Sequence, residues 1–441
     1  MTVIAGFALP IVLATLLILR QNIVVLLGVA TFTAYVFWGD GEIKNVVYDM
    51  WDASNREVLL SVPLYILAGA VMSQGSSAAR LVNFLSALMR PVPGGLALAA
   101  LLSCGIFGAV AGSSIVTLLA VGSVMYPALI KAGYKREFSI GLLCAGGTLG
   151  IIIPPSITMI LYGVMTQASI ADLFIAGIGP GAALIAAFGA YSLVVNWNKD
   201  RGGRWSAREL LVTFREAFWS LLTQFIVIGG IYSGYFTPTE SAAVALLVAV
   251  LVEWLAHDHG AWFILSGQFG KFRKATGDTG RLLWRTVGET STLMGGLFPV
   301  LALALSLNVF LTYEQVPTTL VEWLSQYIDS KFMFLILVNL FLLVVGCFID
   351  AGSAILILSP ILPPMAQQYG IDVVHFGIIM TVNLEIGYLT PPMGLNLIVA
   401  MAAFKEDFLT ICRGVIPFIV LMLLVLWLVA FYPPLSLFLI D

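Results

Sequence analysis

The chain has 441 residues, 60% hydrophobic and only 10% charged, with a formal net charge of −3 and a mean hydropathy of +1.01. A soluble domain carries about 25% charged residues, so this balance excludes a water-soluble enzyme or binding module. Apolar runs of about 17 residues or more recur along the length without period-two alternation, which predicts an all-α polytopic membrane protein and not a β-barrel.

The first expected span is Val3–Leu19. It lacks the basic n-region and small-residue cleavage site of a signal peptide, so it reads as a helix of the mature chain. A second span, Ile23–Trp38, follows at Arg20-Gln21-Asn22, then a polar acidic segment from Gly39 to Glu57 and a span over Val58–Gln74. A short amphipathic piece, Ala78–Met89, leads to Arg90-Pro91-Val92-Pro93. The run Gly94–Ile130 is apolar but interrupted by Ala111-Gly112-Ser113-Ser114. After the basic loop Lys131–Arg136 comes Phe138–Gln167, broken from Gly146 through Pro154-Pro155, and then Leu173–Val195. Backbone freed at such breaks has no water partner in hydrocarbon, so it must be buried in protein or line a wet cavity.

The pattern then recurs. After a basic linker, 196–216, come Ala217–Tyr235, Ala242–Leu255, a polar insertion His257–Arg285, Thr290–Leu311 and the amphipathic Pro317–Tyr327. Phe332–Met365 is interrupted at Asp350-Ala351-Gly352-Ser353, Val373–Ala403 is broken at Pro391-Pro392, and Gly414–Tyr432 closes the chain. Laying Gly150 on Gly387 places Pro154-Pro155 on Pro391-Pro392 and Thr148 on Glu385. Paired Gly/Pro-interrupted apolar segments in two halves point to a transporter binding site. The expected organisation is a first repeat at 1–195 (hairpin about 94–130, broken helix about 138–167), a cytoplasmic linker at 196–216 and a second repeat at 217–441 (hairpin about 332–365, broken helix about 373–403).

Placing the Arg20 loop in the cytoplasm puts all of the 21 Lys and Arg except Lys44, Arg56 and Lys331 on that side, as the positive-inside rule requires. Each half then crosses an odd number of times, so the halves insert upside down relative to each other, an inverted-topology repeat. The first hairpin opens to the cytoplasm and the second to the outside. Their tips carry little charge, which favours re-entrant turns over solvated ones.

The breaks supply the chemistry. A half-helix N-terminus suits an anion, and unwound carbonyls suit a cation such as Na⁺. Ser113, Ser114, Thr148, Ser156 and Thr158 add hydroxyls in the first half, and Ser353, Asn383, Thr390 and Asn396 add polar groups in the second. All are hard oxygen ligands. Asp350 and Glu385 are acids inside apolar runs, functional candidates as cation ligands or proton carriers. Asp350 also reads as the cap of the helix that follows it, and the Thr at the matching position of Glu385 argues against a required acid there. The four cysteines have no metal or redox spacing, and His257 and His259 around Asp258 read as a solvated loop. No basic, aromatic-interleaved patch points to nucleic acid, and no GxxxxGK[ST] loop points to ATP.

The motifs AGSS (Ala111–Ser114), AGGTLGIIIPPSI (Ala145–Ile157), GYFTPTESAAVA (Gly234–Ala245), YGIDVVHFGIIM (Tyr369–Met380) and NLEIGYLTPPMGLNL (Asn383–Leu397) resemble the large membrane subunit, DctM-like, of the tripartite ATP-independent periplasmic (TRAP) transporters. The resemblance spans the whole chain, apart from an unusually long insertion at His257–Lys274. It implies an elevator-type ion-transporter fold in which two hairpins and two broken helices move against a scaffold. It implies Na⁺-coupled import of an organic acid into a bacterium through the inner membrane, as a multi-pass protein among membrane lipid. It implies a small membrane subunit (DctQ-like), a periplasmic substrate-binding protein (DctP-like) and no cofactor beyond co-transported Na⁺. Carried onto this sequence, cation ligands are expected among Ser113, Gly146, Thr148, Gly150, Pro154, Asp350, Gly352, Asn383 and Thr390, and substrate contacts among Ser114, Ser156, Ser353 and Asn396. A self-sufficient cation-coupled carboxylate symporter without a binding protein is the alternative; an intramembrane enzyme would need a catalytic constellation that the sequence does not offer.

Overall fold

The computed structural model describes residues 15, 21–38, 43–199, 203–256, 269–324, 326–328 and 330–440. The expected first span, Val3–Leu19, lies outside the described residues except for Thr15, as does the 257–268 part of the insertion. Among the described residues the chain is helical, and eight helices are long and apolar enough to cross a membrane.

In the first half the helices are α1 (Ile23–Phe37), α2 (Lys44–Ser54), a 3-10 turn (Glu57–Leu60) running into α3 (Ser61–Gln74), α4 (Ser77–Met89), α5 (Gly95–Ala111), α6 (Ser114–Lys131), α7 (Arg136–Ile152), α8 (Ile157–Thr166) and α9 (Ile170–Val195). The second half contains α10 (Ala207–Tyr232), α11 (Pro238–Ala256), α12 (Phe269–Tyr313), α13 (Val316–Leu324), α14 (Lys331–Phe348), α15 (Ala351–Leu358), α16 (Leu362–Gln368), α17 (Val373–Gly387), α18 (Leu395–Phe404), α19 (Phe408–Phe431) and α20 (Pro434–Leu437). Gly112-Ser113 separates α5 from α6 and 388–394 separates α17 from α18, as the sequence places them, whereas the break read from Gly146 onward is confined to Ile153–Ser156, α7 staying helical through Ile152.

Several elements depart from the sequence reading. The polar segment read at Gly39–Glu57 holds α2, and α10 begins at Ala207, inside the linker read at 196–216. The insertion read as polar through Arg285 is helical from Phe269 onward and continues without a break into the span, giving α12 its 45 residues. At 1.5 Å per residue that is about 68 Å, well beyond a bilayer of about 40–45 Å with its headgroups. Polarity there fixes exposure and leaves backbone conformation to helix propensity. The second hairpin is also less regular than the first, since its returning arm is split into α15 and α16 around Ser359–Ile361.

The core is built around two helices that are buried on every side. Each residue of α7 from Phe138 to Ile152 is buried, as is each residue of α17 from Val374 to Gly387. A helix without a polar face is stable only when neighbours surround it. Helix α7 packs on α5, α6 and α19, and α17 packs on α14, α9 and α19. The two half-helices beyond the breaks cross over: α8 lies on α15, and α18 lies on α6. Around this core, α3 packs on α11, α1 and α2 pack on α12, and α4 bridges α5 and α10.

Each hairpin meets a buried helix at a pair of glycines. A Cβ on Gly108 would stand 2.5 Å from the Gly150 Cα, and a Cβ on Gly387 would stand 2.5 Å from the Gly346 Cα. Backbone touches backbone at both crossings, an approach that only glycine permits. Gly387→Ala should therefore cost about 1–3 kcal/mol through overpacking. Gly229→Ala, on a face of α10 with no atom within 4 Å, should be neutral or stabilising by up to about 1 kcal/mol. Thermal midpoints of the purified variants in detergent check this; equal midpoints would mean that the helices separate to admit the methyl group.

Candidate functional site

The tip of the first hairpin is made by Gly112, whose φ of +58° suits a glycine and whose N–H closes α5 onto the Gly108 carbonyl at 2.8 Å. A Cβ here would lie 3.2 Å from the Pro155 carbonyl oxygen, so the tip sits against the break between α7 and α8. Ser113 is extended, and its carbonyl accepts from the Thr117 hydroxyl at 2.8 Å and from the Thr117 N–H at 3.1 Å. A Cβ on Gly150 would stand 2.9 Å from that same carbonyl oxygen. Ser114 opens α6, is fully buried, and accepts from the Asn396 side-chain amide at 2.6 Å. That amide also reaches the Cys144 carbonyl at 3.3 Å. The beginning of α18 is therefore tied to the hairpin tip of the other half.

The second tip is held differently. Asp350 caps α15, its carboxylate accepting from the Ser353 N–H at 2.9 Å. The Ala351 N–H donates to the Tyr388 hydroxyl at 2.8 Å, which anchors this tip to the end of α17. A Cβ on Gly352 would meet Leu161 of α8 at 3.4 Å. Asn383 donates to the Asn339 carbonyl at 3.0 Å and to its side-chain oxygen at 2.6 Å.

The two acids differ in their surroundings, Asp350 taking the capping place that the sequence offered it. Asp350 is exposed and committed to its cap, whereas Glu385 is fully buried and neither of its carboxylate oxygens has a hydrogen-bond partner. The Ser114 hydroxyl faces the carboxylate. The side-chain oxygens of Asn383 and Asn396 are buried and unpartnered as well. Buried acceptors without donors cost free energy until something positive satisfies them.

The expected site residues thus divide. Ser113, Ser114, Gly150 and Asn396 meet at the first tip, and Asp350, Gly352 and Ser353 form the second. Gly146, Thr148 and Thr390 are occupied otherwise. A Cβ on Gly146 would stand 2.9 Å from the Cys104 sulfur, Thr148 donates to the Ala145 carbonyl at 2.6 Å, and Thr390 donates to Ile386 at 2.8 Å. Ser156 caps α8, accepting from Met159 at 3.4 Å, and the Pro154-Pro155 bond, like Pro391-Pro392, is cis. Thr117, Asn339 and Tyr388 were not singled out in the sequence. Thr117 and Tyr388 had a readable signal, four residues after Ser113 and inside the NLEIGYLTPP stretch; Asn339, in the middle of an apolar helix, offered only its polarity.

Long apolar helices interrupted at polar, glycine-bearing tips are the architecture of a membrane transporter. Solved transporter structures share the fold: the Alcanivorax borkumensis YdaH transporter (TM-score 0.58, 16% identity, 88% of this chain and 87% of that one) and Neisseria gonorrhoeae MtrF (0.56, 13%, 90% and 85%). The family described as "Tripartite ATP-independent periplasmic transporter, DctM component" matches residues 11–435. Similar proteins include the Pseudomonas aeruginosa C4-dicarboxylate TRAP transporter large permease protein DctM (37% identity, 93% of this chain and 92% of that one) and the Halomonas elongata ectoine TRAP transporter large permease protein TeaC (33%, 97% and 96%). The Oleidesulfovibrio alaskensis isethionate TRAP transporter permease protein DctMQ is 35% identical over 96% of this chain and 65% of that one.

The chain belongs to the DctM family of TRAP transporter large permease subunits. It is a multi-pass inner-membrane protein that works without ATP, alongside a small DctQ-like membrane subunit and a periplasmic binding protein.

Asn396→Ala should leave the Ser114 hydroxyl and the Cys144 carbonyl without their shared donor. A loss of about 1–3 kcal/mol in stability is expected, the cost of stranding buried polar groups. Thermal unfolding of the detergent-solubilised variant measures this, and an unchanged midpoint would show that the amide bridge holds nothing in place.

Proposed function

We propose that this permease imports an organic acid, delivered by the periplasmic binding protein, by coupling it to Na⁺ entering down its gradient. The observation that carries this reading is the set of buried acceptor oxygens without donors: both of Glu385 and one each of Asn383 and Asn396. A hard cation satisfies oxygen acceptors of this type. The cation positions we favour are the Ser113 carbonyl beside Gly150 at the first tip, with Glu385 against the neighbouring Ser114, and the Asp350–Gly352 turn with Asn383 at the second. Ser114, Ser353 and Asn396, beside the tips, and Ser156, at the break, are the proposed substrate contacts. Gly146, Thr148, Pro154 and Thr390 shape the breaks.

The two halves support an inverted repeat, 1–195 and 217–441 about the 196–216 linker, beyond the motif alignment itself. Both half-helices after the breaks are 10 residues long and end on a left-handed residue, Gln167 or Lys405. In each case a capping side chain, Ser169 or Asp407, restarts the next helix two residues later. Movement of the hairpin-bearing core past α1–α4 and α10–α13, in elevator fashion, is the mechanism that fits this arrangement. The named substrates of the relatives are a C4-dicarboxylate, ectoine and isethionate, and each carries an acidic group. That chemistry supports an organic anion here.

Uptake of labelled organic acids into proteoliposomes holding this chain and its small subunit tests the reading. It should require both an inward Na⁺ gradient and the binding protein. Uptake with Na⁺ alone would replace it with a self-sufficient symporter. Glu385→Gln, which keeps the shape and removes the charge, should lower the apparent Na⁺ affinity about tenfold or more, the order of one lost charged contact. Asp350→Asn keeps an oxygen for its cap and should weaken coupling less, with the protein still folded and inserted. An unchanged Na⁺ dependence in Glu385→Gln would remove that carboxylate from the site.

A further inference from the structure

The last carbonyls of any helix lack intrahelical donors and need others. In α18 the chain supplies one itself, the Lys405 N–H reaching the Met401 carbonyl at 3.1 Å. Helix α8 ends otherwise. Its Val164 carbonyl accepts from the Arg56 guanidinium at 2.9 Å, and its Met165 carbonyl accepts from the Asn308 amide at 3.0 Å. Asn308 lies on α12 and Arg56 just before the 3-10 turn that leads into α3, so the end of this half-helix is gripped from outside its own unit.

Arg56 also lines a cavity of about 430 Å³, together with Val58, Val164, Gln167, Ser169 and Pro238. Small-molecule sites begin near this size, at about 300 Å³. The cavity wall includes Ile170 and Ala171, the first residues of the 26-residue α9, whose amides present the positive end of a helix dipole. The lining residues contain no carboxylate, although Glu57, Asp172 and Glu240 are close in sequence. By the distribution of Lys and Arg this is the outer side, where Arg56 is one of three basic residues. Its guanidinium is half-buried and has five donors, of which the Val164 carbonyl occupies one. A carboxylate engages such a fork with two parallel bonds between charged partners, against the single bond to the neutral Val164 carbonyl.

We propose that this cavity is an outer-face carboxylate site: Arg56 receives the anion of a small organic acid and in doing so releases the Val164 carbonyl, freeing the end of α8. The idea rests on the transport reading above, since a grip of this kind matters only where α8 moves relative to α3 and α12. One guanidinium in an open cavity does not choose among acids, so any small dicarboxylate serves as a probe.

The test is amide hydrogen exchange of residues 163–169 in the full chain, reconstituted in nanodiscs with its small subunit. Millimolar succinate should speed exchange there by roughly tenfold or more, the order expected from losing one charge-assisted hydrogen bond. Dimethyl succinate, uncharged and similar in shape, should not. Arg56→Gln should exchange fast without succinate and ignore its addition, with exchange across residues 138–152 unchanged as the check on folding. Exchange that succinate leaves alone or slows in the wild type would overturn the proposal, as would an Arg56→Gln protein that responds like the wild type. The wild-type comparison of acid with ester decides the question even if the variant folds poorly. Na⁺-driven uptake in the same preparations keeps the two readings apart. A succinate response without Na⁺ dependence would sink the coupling and leave the site, and Na⁺-driven uptake without the response would sink the site alone.

Discussion

Hydrocarbon offers no hydrogen bonds, and that constraint governs the whole molecule. Each helix broken inside a membrane leaves backbone amides, carbonyls and polar side chains that only other parts of the protein can satisfy. The Ala351 amide finds the Tyr388 hydroxyl, the Ser113 carbonyl finds Thr117, and Ser114 finds Asn396 across the two halves. These bonds place the hairpin tips against the breaks. The glycine crossings at Gly108/Gly150 and Gly346/Gly387 follow, because the tips can seat only if backbones approach to contact. Side chains there would hold the hairpins off and leave the breaks unsatisfied.

Against that satisfied background the exceptions acquire meaning. Nearly every polar group near the tips has a partner, yet Glu385 has none for either oxygen despite complete burial. Its counterpart in the other half, Thr148, turns back to its own helix and needs nothing further. The pseudo-equivalent positions therefore differ: Thr148 closes on its own helix, and Glu385 is left with unmet acceptors. On the Na⁺ reading proposed above, that asymmetry gives the ion one set of oxygens to bind and later to leave.

A second asymmetry separates the ends of the half-helices. The end of α18 closes through its own Lys405 amide, while the end of α8 depends on Arg56 and Asn308. Self-closed ends travel intact, whereas ends closed by a neighbour hold two units together for as long as the bond lasts. The same two half-helices each lean on a hairpin arm of the opposite half, α8 on α15 and α18 on α6.

The sequence by itself determined the class, the helical spans and the positions of the breaks. Burial in lipid demands long apolar runs, and interruption of such a run is conspicuous: Gly112-Ser113, Pro154-Pro155 and Pro391-Pro392 could all be read directly. Family membership was legible for the same reason, since the motifs sit at these breaks. Partnership was not legible. Asp350 and Glu385 look alike as acids in apolar runs, and only the folded chain turns one outward as a cap and buries the other without a donor. Thr148 and Gly146 lie in the right stretch but face Ala145 and Cys104. Tyr388 and Asn339 matter because helices distant in sequence converge on them. Composition and periodicity report how a segment relates to its solvent, whereas hydrogen bonds between segments depend on which faces meet, and packing alone decides that.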